Sequence, residues 1–359
     1  MTEHKRIAGI ELLRVVAMIM VVIMHFLRES DSLLTAGEGS LTIGSFGAVF
    51  LEALCIAAVN VYVLISGYFG CEQGFRLSRV ILFPCQIWFY SLLIPVVLTI
   101  LRVPTLAVEM GVYGVIQYIL PLETESYWFA TAYFLLLLVM PLLNAAVKNL
   151  SRKQFRLTLG MLFLIACGVK SVCPIHLAFD RYGYDLLWFI CLYLTGAYLK
   201  KYGGGVAERM AAGVYLGSCM IIGLIALGMW YVTFHIDGAA YYFSVPFHYN
   251  FVFCLTAAIG LFYLFLKLEL KEGKVTEMIR RAGKYAFGIY LFHEHPDIRH
   301  QWYPFLRGLV NSSGRKGTGM MLLELFFCVL VLFAAGLIIE WVRTRIGKGM
   351  TILLKRKAG

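Results

Sequence analysis

Long apolar stretches recur along the whole chain, and they restrict its fold more than any other feature. Most approach the ~20 residues that an α-helix needs to cross the hydrocarbon core of a bilayer. Of the 359 residues, 60% are hydrophobic and only 15% are charged, against roughly 25% charged in soluble domains. We therefore predict an all-α, polytopic membrane helix bundle of about ten transmembrane helices, forming a single membrane-embedded domain over residues 1–359 with no appended soluble domain. The predicted spans are 7–27, 42–69, 79–101, 126–147, 157–173, 184–200, 211–233, 246–266, 284–305 and 320–343.

Positive charge is concentrated in every second loop. The chain has 32 Lys and Arg and a net charge of +11. If the N-terminus lies in the cytosol, most of these cations fall in cytosolic segments, which is the positive-inside pattern of membrane proteins. The pattern predicts that both termini are cytosolic. It also explains the charge through contact with the lipid bilayer, without a nucleic-acid partner. The basic segments are 5–6, 76–79, 148–156, 200–209, 267–284 and 343–357.

The cysteines and histidines do not predict a metal site. Most of the nine cysteines lie in apolar spans and are expected to be small buried hydrophobic residues. No CxxC or other metal-ligand spacing is present in the sequence. His293 and His295 are two residues apart, which on a helix separates their directions by about 200° and makes them a poor ligand pair.

Two polar residues share one face of the first span. Arg14 lies inside this span, where an arginine costs about 2.5–3.5 kcal/mol at the bilayer centre and therefore needs partners. His25 follows eleven residues later, which is about 20° beyond three full turns and about 16 Å along the axis. The two side chains could therefore hold two ends of one elongated ligand. Structural alternatives remain: Arg14 could pair with Glu11 or Glu52, and His25 could lie at headgroup level.

Two other spans depart from a plain apolar helix. The second span ends at 65–69, where Ser66 and Gly67 predict a tilt or a break. It also contains Glu52 and Asn60; the alternative role for Asn60 is to join helices. The ninth span is apolar only over 285–292, so we expect its continuation to line a polar cavity.

Four segments match, in chain order, the motifs of one membrane-protein family. They are Glu11-Leu12-Leu13-Arg14 with His25, the segment 58–69 ending in Ser66-Gly67-Tyr68, Tyr127-Trp128-Phe129 through Tyr133 to Pro141 and Asn144, and Phe287-Gly288-Ile289-Tyr290-Leu291-Phe292-His293. In these segments the chain resembles the acyltransferase-3 family, ten-helix membrane acyltransferases that modify surface glycans and related acceptors. It departs from the family in having only Arg76 and Arg79 before the third span, and in Trp341 after Glu340.

The resemblance implies O-acyl transfer, with an acetyl group favoured. The implied donor is cytosolic acetyl-CoA or another acyl-CoA, with no permanently bound cofactor. The implied acceptor is a hydroxyl of a surface glycan or lipid-linked saccharide outside the cytoplasmic membrane of a bacterial cell. His25 would be the general base, since imidazole titrates near neutrality, and Arg14 would hold the donor or stabilise charge. Direct transfer and a covalent acyl-His25 intermediate are both compatible with the sequence.

The resemblance also suggests residues that contact the substrates. Arg76 and Arg79 are expected to meet the CoA phosphates, for which arginine side chains are well suited. Asn60 and Ser66 are expected to supply hydrogen bonds along the channel to the donor. The remaining predicted substrate-binding residues are Glu52, Trp128 and His293.

A transporter or flippase of a glycan-related substrate is the alternative of a different class. A broken ninth span and intramembrane Arg and His residues would also suit a transport pathway. However, the fifth and sixth spans contain no counterpart of the Arg14 and His25 region. An acyltransferase should consume acyl-CoA and leave an alkali-labile ester, whereas a transporter should move its substrate without forming a bond.

Overall fold

The computed structural model describes residues 7–173, 177–178, 180–310 and 317–357, with side chains as far as residue 347. Some of the predicted cytosolic cations therefore lie outside the described part of the chain: Lys5 and Arg6, and the side chains of Lys348, Lys355, Arg356 and Lys357.

All regular secondary structure in the described residues is helical, which confirms the all-α prediction. A π-helical turn, Leu164–Gly168, lies between α8 and α9. The α-helices are α1 (Ala8–Glu29), α2 (Ile43–Cys55), α3 (Ala58–Gly70), α4 (Leu77–Ile100), α5 (Leu106–Met110), α6 (Val112–Ile119), α7 (Trp128–Asn149), α8 (Arg152–Phe163), α9 (Val169–Val172), α10 (Leu186–Tyr202), α11 (Val206–Arg209), α12 (Ala211–Val232), α13 (Ala240–Ser244), α14 (Val252–Leu266), α15 (Lys274–His293), α16 (Trp302–Val310) and α17 (Thr318–Lys357).

Eight helical segments within the described residues are long enough and apolar enough to cross a bilayer. They correspond to eight of the ten predicted spans. The sixth predicted span corresponds to α10, which has only 17 residues. The ninth, 284–305, overlaps the second half of α15 and the start of α16, and residues 294–301 between them are not helical. The structure therefore supports a multi-pass membrane protein, and the count of ten crossings remains a prediction.

The chain forms two compact units. Unit 1 comprises the described parts of Met1–Val80 and Phe129–Lys271, and unit 2 comprises those of Ile81–Trp128 and Glu272–Gly359. Each unit has its own helix packing. The prediction of one membrane domain over residues 1–359 is not tested by this division.

Unit 1 is built around the pair α3 and α10. A Cβ atom on Gly67 would overlap the carbonyl oxygen of Tyr193, and one on Gly196 would overlap the carbonyl oxygen of Leu64. Small residues at a helix interface allow this close backbone approach. Gly67 is therefore explained by packing. It does not mark a break, because α3 continues through Gly70.

The predicted break in the second span was placed wrongly. The helix is interrupted at Ile56 and Ala57, between α2 and α3, and not at 65–69. The Tyr215 hydroxyl donates to the Leu54 carbonyl oxygen at 2.8 Å, and this carbonyl would otherwise accept from the Ala58 N–H. A side chain that enters the helical hydrogen-bond ladder is a known cause of such interruptions.

Unit 2 packs α15 against α17 through two glycines. Gly336 faces the backbone of Ile289, and Gly288 faces Tyr90 and Glu340. The Glu340 side chain is buried and accepts hydrogen bonds from Tyr90, Gln86 and Arg343. Because Gln86 and Tyr90 lie on α4, these hydrogen bonds join α17 to α4, while Gly288 leaves room for the Glu340 side chain against α15.

Candidate active site

A large cavity in unit 1 lies where α3 ends. It has a volume of about 600 Å³, within the size range of small-molecule sites. Its walls come from the segment 70–80, from the last turns of α7 and from the end of α10. The predicted donor-binding residues Arg76 and Arg79 both line it, so the structure brings this pair together.

Three lysines complete a strongly positive lining. Lys148, Lys200 and Lys201 join Arg76 and Arg79, and Glu72 is the one carboxylate among the described residues that line the space. We call this space the cationic cavity. Cations near the C-termini of α3, α7 and α10 compensate the negative ends of the helix dipoles. Lys201 does so directly, since its ammonium donates to the Val147 carbonyl oxygen at 2.8 Å.

A polar stripe runs along α3 from the cationic cavity. Gly70, Ser66 and Tyr62 are spaced by four residues and share one face of the helix, over about 12 Å. The Ser66 hydroxyl donates to the Tyr62 carbonyl oxygen at 3.0 Å and lies 2.9 Å from the Tyr133 hydroxyl. The Tyr62 hydroxyl donates to the Arg14 carbonyl oxygen at 2.6 Å. The stripe therefore connects the cavity end of α3 with the level of Arg14.

Arg14 pairs with Glu11, one of the two structural partners that the sequence suggested. Its guanidinium donates to the Glu11 carboxylate at 2.6 Å, three residues earlier on α1. Glu11 is buried, whereas 29% of the Arg14 side chain is exposed. An exposed fraction of this size leaves part of the guanidinium available to a ligand. His25 lies on the same helix and is half-buried.

Asn60 and Glu52 lie deep in unit 1. The Asn60 amide is fully buried, donates to the Tyr249 carbonyl oxygen at 2.8 Å and accepts from the Trp188 indole N–H at 3.0 Å. Through these contacts Asn60 joins α3 to α10 and to the segment before α14, which is the alternative role that the sequence allowed. Donor binding by Asn60 remains a prediction. The Glu52 Oε2 atom is buried without a hydrogen-bond partner among the described residues. Its predicted substrate role is untested.

Trp128 and His293 belong to unit 2. His293 ends α15 and is fully buried, with its Nδ1 atom 2.7 Å from the Ile289 carbonyl oxygen. The helix thus stops where the apolar run was predicted to stop. Two residues later, the His295 Nδ1 atom accepts from the Asp297 backbone N–H at 3.1 Å.

Cys71, in the wall of the cationic cavity, is an unsuitable nucleophile. Burial, together with the neighbouring Glu72 carboxylate, raises the pKa of its thiol above the usual value. A thiol with a raised pKa carries less of the reactive thiolate at neutral pH.

The acyltransferase domain family model matches residues 7–341, nearly the whole chain. The chain belongs to the acyltransferase-3 family. Searches against curated proteins and against solved structures found no significant match. As a member of this family, the chain is a multi-pass membrane acyltransferase, and family membership does not favour the transporter alternative.

Lys148, Lys200 and Lys201 are the residues of the cationic cavity that sequence reasoning did not single out. Each lysine also fits the positive-inside pattern, which is a sufficient explanation for cations in a basic loop. A signal was nevertheless present. Lys148 lies one turn after Asn144 of the family motif, and Lys200 and Lys201 close an apolar helix without a nearby acidic residue.

Proposed function

We propose that this chain transfers an acyl group, by expectation acetyl, from cytosolic acyl-CoA to a hydroxyl of an extracytoplasmic glycan or lipid-linked saccharide. The acyl-CoA is a substrate, and no resident cofactor is required. The proposed location is the cytoplasmic membrane of a bacterial cell. The observation that carries the proposal is the cationic cavity, whose charge and volume suit a phosphorylated ligand.

Phosphate recognition explains why so many cations line one space. Arg76 and Arg79 offer planar guanidinium donors for the CoA phosphates, and the lysines add further charge. The acyl-bearing arm would extend along the stripe formed by Ser66 and Tyr62 toward Arg14. This direction agrees with the expected path from the cytosol into the membrane.

The reaction requires a base for the acceptor hydroxyl. In the proposed step, His25 accepts the hydroxyl proton while the acceptor oxygen attacks the thioester carbonyl carbon. The new C–O ester bond forms, the C–S bond breaks, and the CoA sulfur leaves and takes up a proton. Arg14, with its carboxylate partner Glu11, lies about 16 Å along α1 from His25 and would hold the donor at the other end of the elongated ligand. In this scheme Glu52, Trp128 and His293 are proposed acceptor contacts.

The decisive experiment compares acetyl content in cells that express the wild type or His25→Ala. Surface glycans are analysed by mass spectrometry before and after mild alkali, and membranes are supplied with radiolabelled acetyl-CoA. Because a positioned general base contributes about 10²–10⁴-fold, His25→Ala should reduce ester formation by that factor.

His235→Ala is the matched control, because His235 is exposed and follows the end of α12. Its ester yield should equal that of the wild type. Normal ester formation by a folded His25→Ala protein would remove His25 as the base. If wild-type membranes neither consume labelled acetyl-CoA nor form an ester, the proposed donor is wrong.

A further inference from the structure

One hydrogen-bonded chain links the helix core of unit 1 to the arginine wall of the cationic cavity. It begins at Tyr193, which is fully buried on α10 and fixed by the close packing of Gly67 against its backbone. The Tyr193 hydroxyl donates to the Asn144 side-chain oxygen at 2.6 Å. This bond orients the Asn144 amide so that its NH₂ group points toward the end of α3.

Asn144 then holds the backbone that follows α3. Its NH₂ group donates to the Gly70 carbonyl oxygen at 3.0 Å and to the Gln73 carbonyl oxygen at 3.1 Å. The last carbonyl groups of a helix lack partners within the helix, so a side-chain donor at this point fixes the path of the departing chain. Here the departing chain is the segment 71–76, which forms a wall of the cationic cavity.

Gln73 carries the chain on to an arginine. Its side-chain NH₂ donates to the Phe69 carbonyl oxygen at 2.7 Å, and its side-chain oxygen accepts from the Arg79 guanidinium at 2.5 Å. The Arg79 guanidinium has five N–H donors in one plane. The contact with Gln73 holds one of its NH₂ groups, and its other donors can face the cavity. The orientation of Arg79 thus depends on Gln73, and the position of Gln73 depends on Asn144.

We infer that Asn144 and Gln73 are positioning residues that fix Arg79 for the phosphate groups of the donor. The inference rests on the proposed function, since it assigns the cavity to a phosphorylated donor. Neither residue needs to contact the reacting acyl group. Their contribution should therefore be confined to ligands that carry phosphate.

The test measures equilibrium binding of two probes to the purified full-length protein in detergent. CoA carries the phosphates, whereas pantetheine carries the same thiol arm without them. Gln73→Ala removes the contacts to Arg79 and to the Phe69 carbonyl oxygen from a partly exposed segment, and Asn144→Ala removes the contacts to Gly70, Gln73 and Tyr193. Both variants should raise the dissociation constant for CoA by about tenfold, as for a lost hydrogen bond to a charged group, and leave pantetheine binding unchanged.

The matched control is Asn149→Ala, on the same helix, whose exposed amide contacts only the Ala145 carbonyl oxygen among the described residues. It should bind both probes as the wild type does. In the Arg79→Ala background, Gln73→Ala should have no additional effect on CoA binding, because the residue it positions is gone.

Equal losses for CoA and pantetheine would show a general structural defect and overturn the inference, as would additive effects with Arg79→Ala. If Asn144→Ala does not fold, Tyr193→Phe, which removes one hydroxyl from the chain of contacts, takes its place. A wild type that fails to bind CoA would instead refute the proposed function, and the positioning role with it.

Discussion

Positive charge is held in two different ways at the two ends of α3. Near its start, Lys170 is 1% exposed and forms an ion pair with Asp180, which is 3% exposed. At its end, the cationic cavity gathers five cations and one carboxylate around open space. A cation that the fold has buried with a matching anion serves structure. Cations that surround a cavity in excess of carboxylates would, in the proposed function, meet an anion from outside the protein.

The Lys170 network is closed on every side. Asn250 accepts from the Lys170 ammonium at 3.1 Å and donates to Asp180 and to the Ala166 carbonyl oxygen in the π-helical turn. The Tyr182 ring lies 4.6 Å from the ammonium, in a cation–π contact. The void beside Asp180 and Asn250 is large enough for only about one water molecule, so an external ligand has no room there.

The largest expected effect comes from breaking the closed pair. Lys170→Met would leave the Asp180 carboxylate buried without its cation, so we expect a loss of about 3–5 kcal/mol in the free energy of unfolding. Denaturant-induced unfolding in detergent micelles would measure it. The double variant Lys170→Met with Asp180→Leu should recover most of the loss. A single variant as stable as the wild type would contradict the structural role of this pair.

An intermediate effect is expected at the open end. Arg79→Ala and Lys200→Ala should each weaken acyl-CoA binding by about 10–100-fold, corresponding to roughly 1.5–3 kcal/mol for a hydrogen bond to a charged group. The free energy of unfolding should change by less than about 0.5 kcal/mol, because these side chains are exposed. Binding and unfolding would be measured on the same preparations. Lys153→Ala, an exposed cation outside the cavity lining, is the control.

Combined results would decide whether the two ends differ as proposed. A large stability loss in Arg79→Ala would assign the arginine to structure. Unchanged acyl-CoA binding in both cavity variants would refute the donor site.

The smallest effect concerns pH. Burial alone would raise the pKa of Asp180, but hydrogen bonds from Lys170, Asn250 and the Tyr182 backbone N–H lower it below its ordinary value of 3.8. A folded-state pKa below the unfolded one stabilises the protein above the unfolded value, and this stabilisation is lost as pH falls through the folded value. The stability difference between wild type and Asp180→Asn should therefore stay constant from pH 8 to 5 and shrink only below about pH 4. Unfolding measured across that range would show it, and a difference that declines between pH 7 and 5 would contradict the assignment.

Much of the fold was predictable because apolar length is a strong local signal. The spans 7–27, 42–69 and 211–233 agree with the observed helices to within a few residues. The interruption at Ile56 and Ala57 was not predictable, because it depends on the Tyr215 hydroxyl from a helix about 160 residues later. Local sequence pointed instead to Gly67, whose role is interhelical packing.

The site was predictable in part for a similar reason. Arg76 and Arg79 are close in sequence and stood out as a pair, and Glu11 was correctly named as a possible partner of Arg14. Lys148 and Lys200 come from helices that meet only in the folded chain. The chain of contacts from Tyr193 to Arg79 also needs tertiary structure, since a buried tyrosine and an asparagine on separate helices carry no shared sequence pattern.

The glycine contacts between α3 and α10 have a consequence for ligand affinity. Because Gly67 and Gly196 bring the two backbones together without intervening side chains, the helices cannot slide or separate without losing their packing. Lys200 ends one of these helices and Arg76 follows the other. If the cavity binds the donor as proposed, the entropy needed to assemble its walls is spent during folding, before the donor binds. Such preorganisation lets more of the ligand's interaction energy appear as affinity.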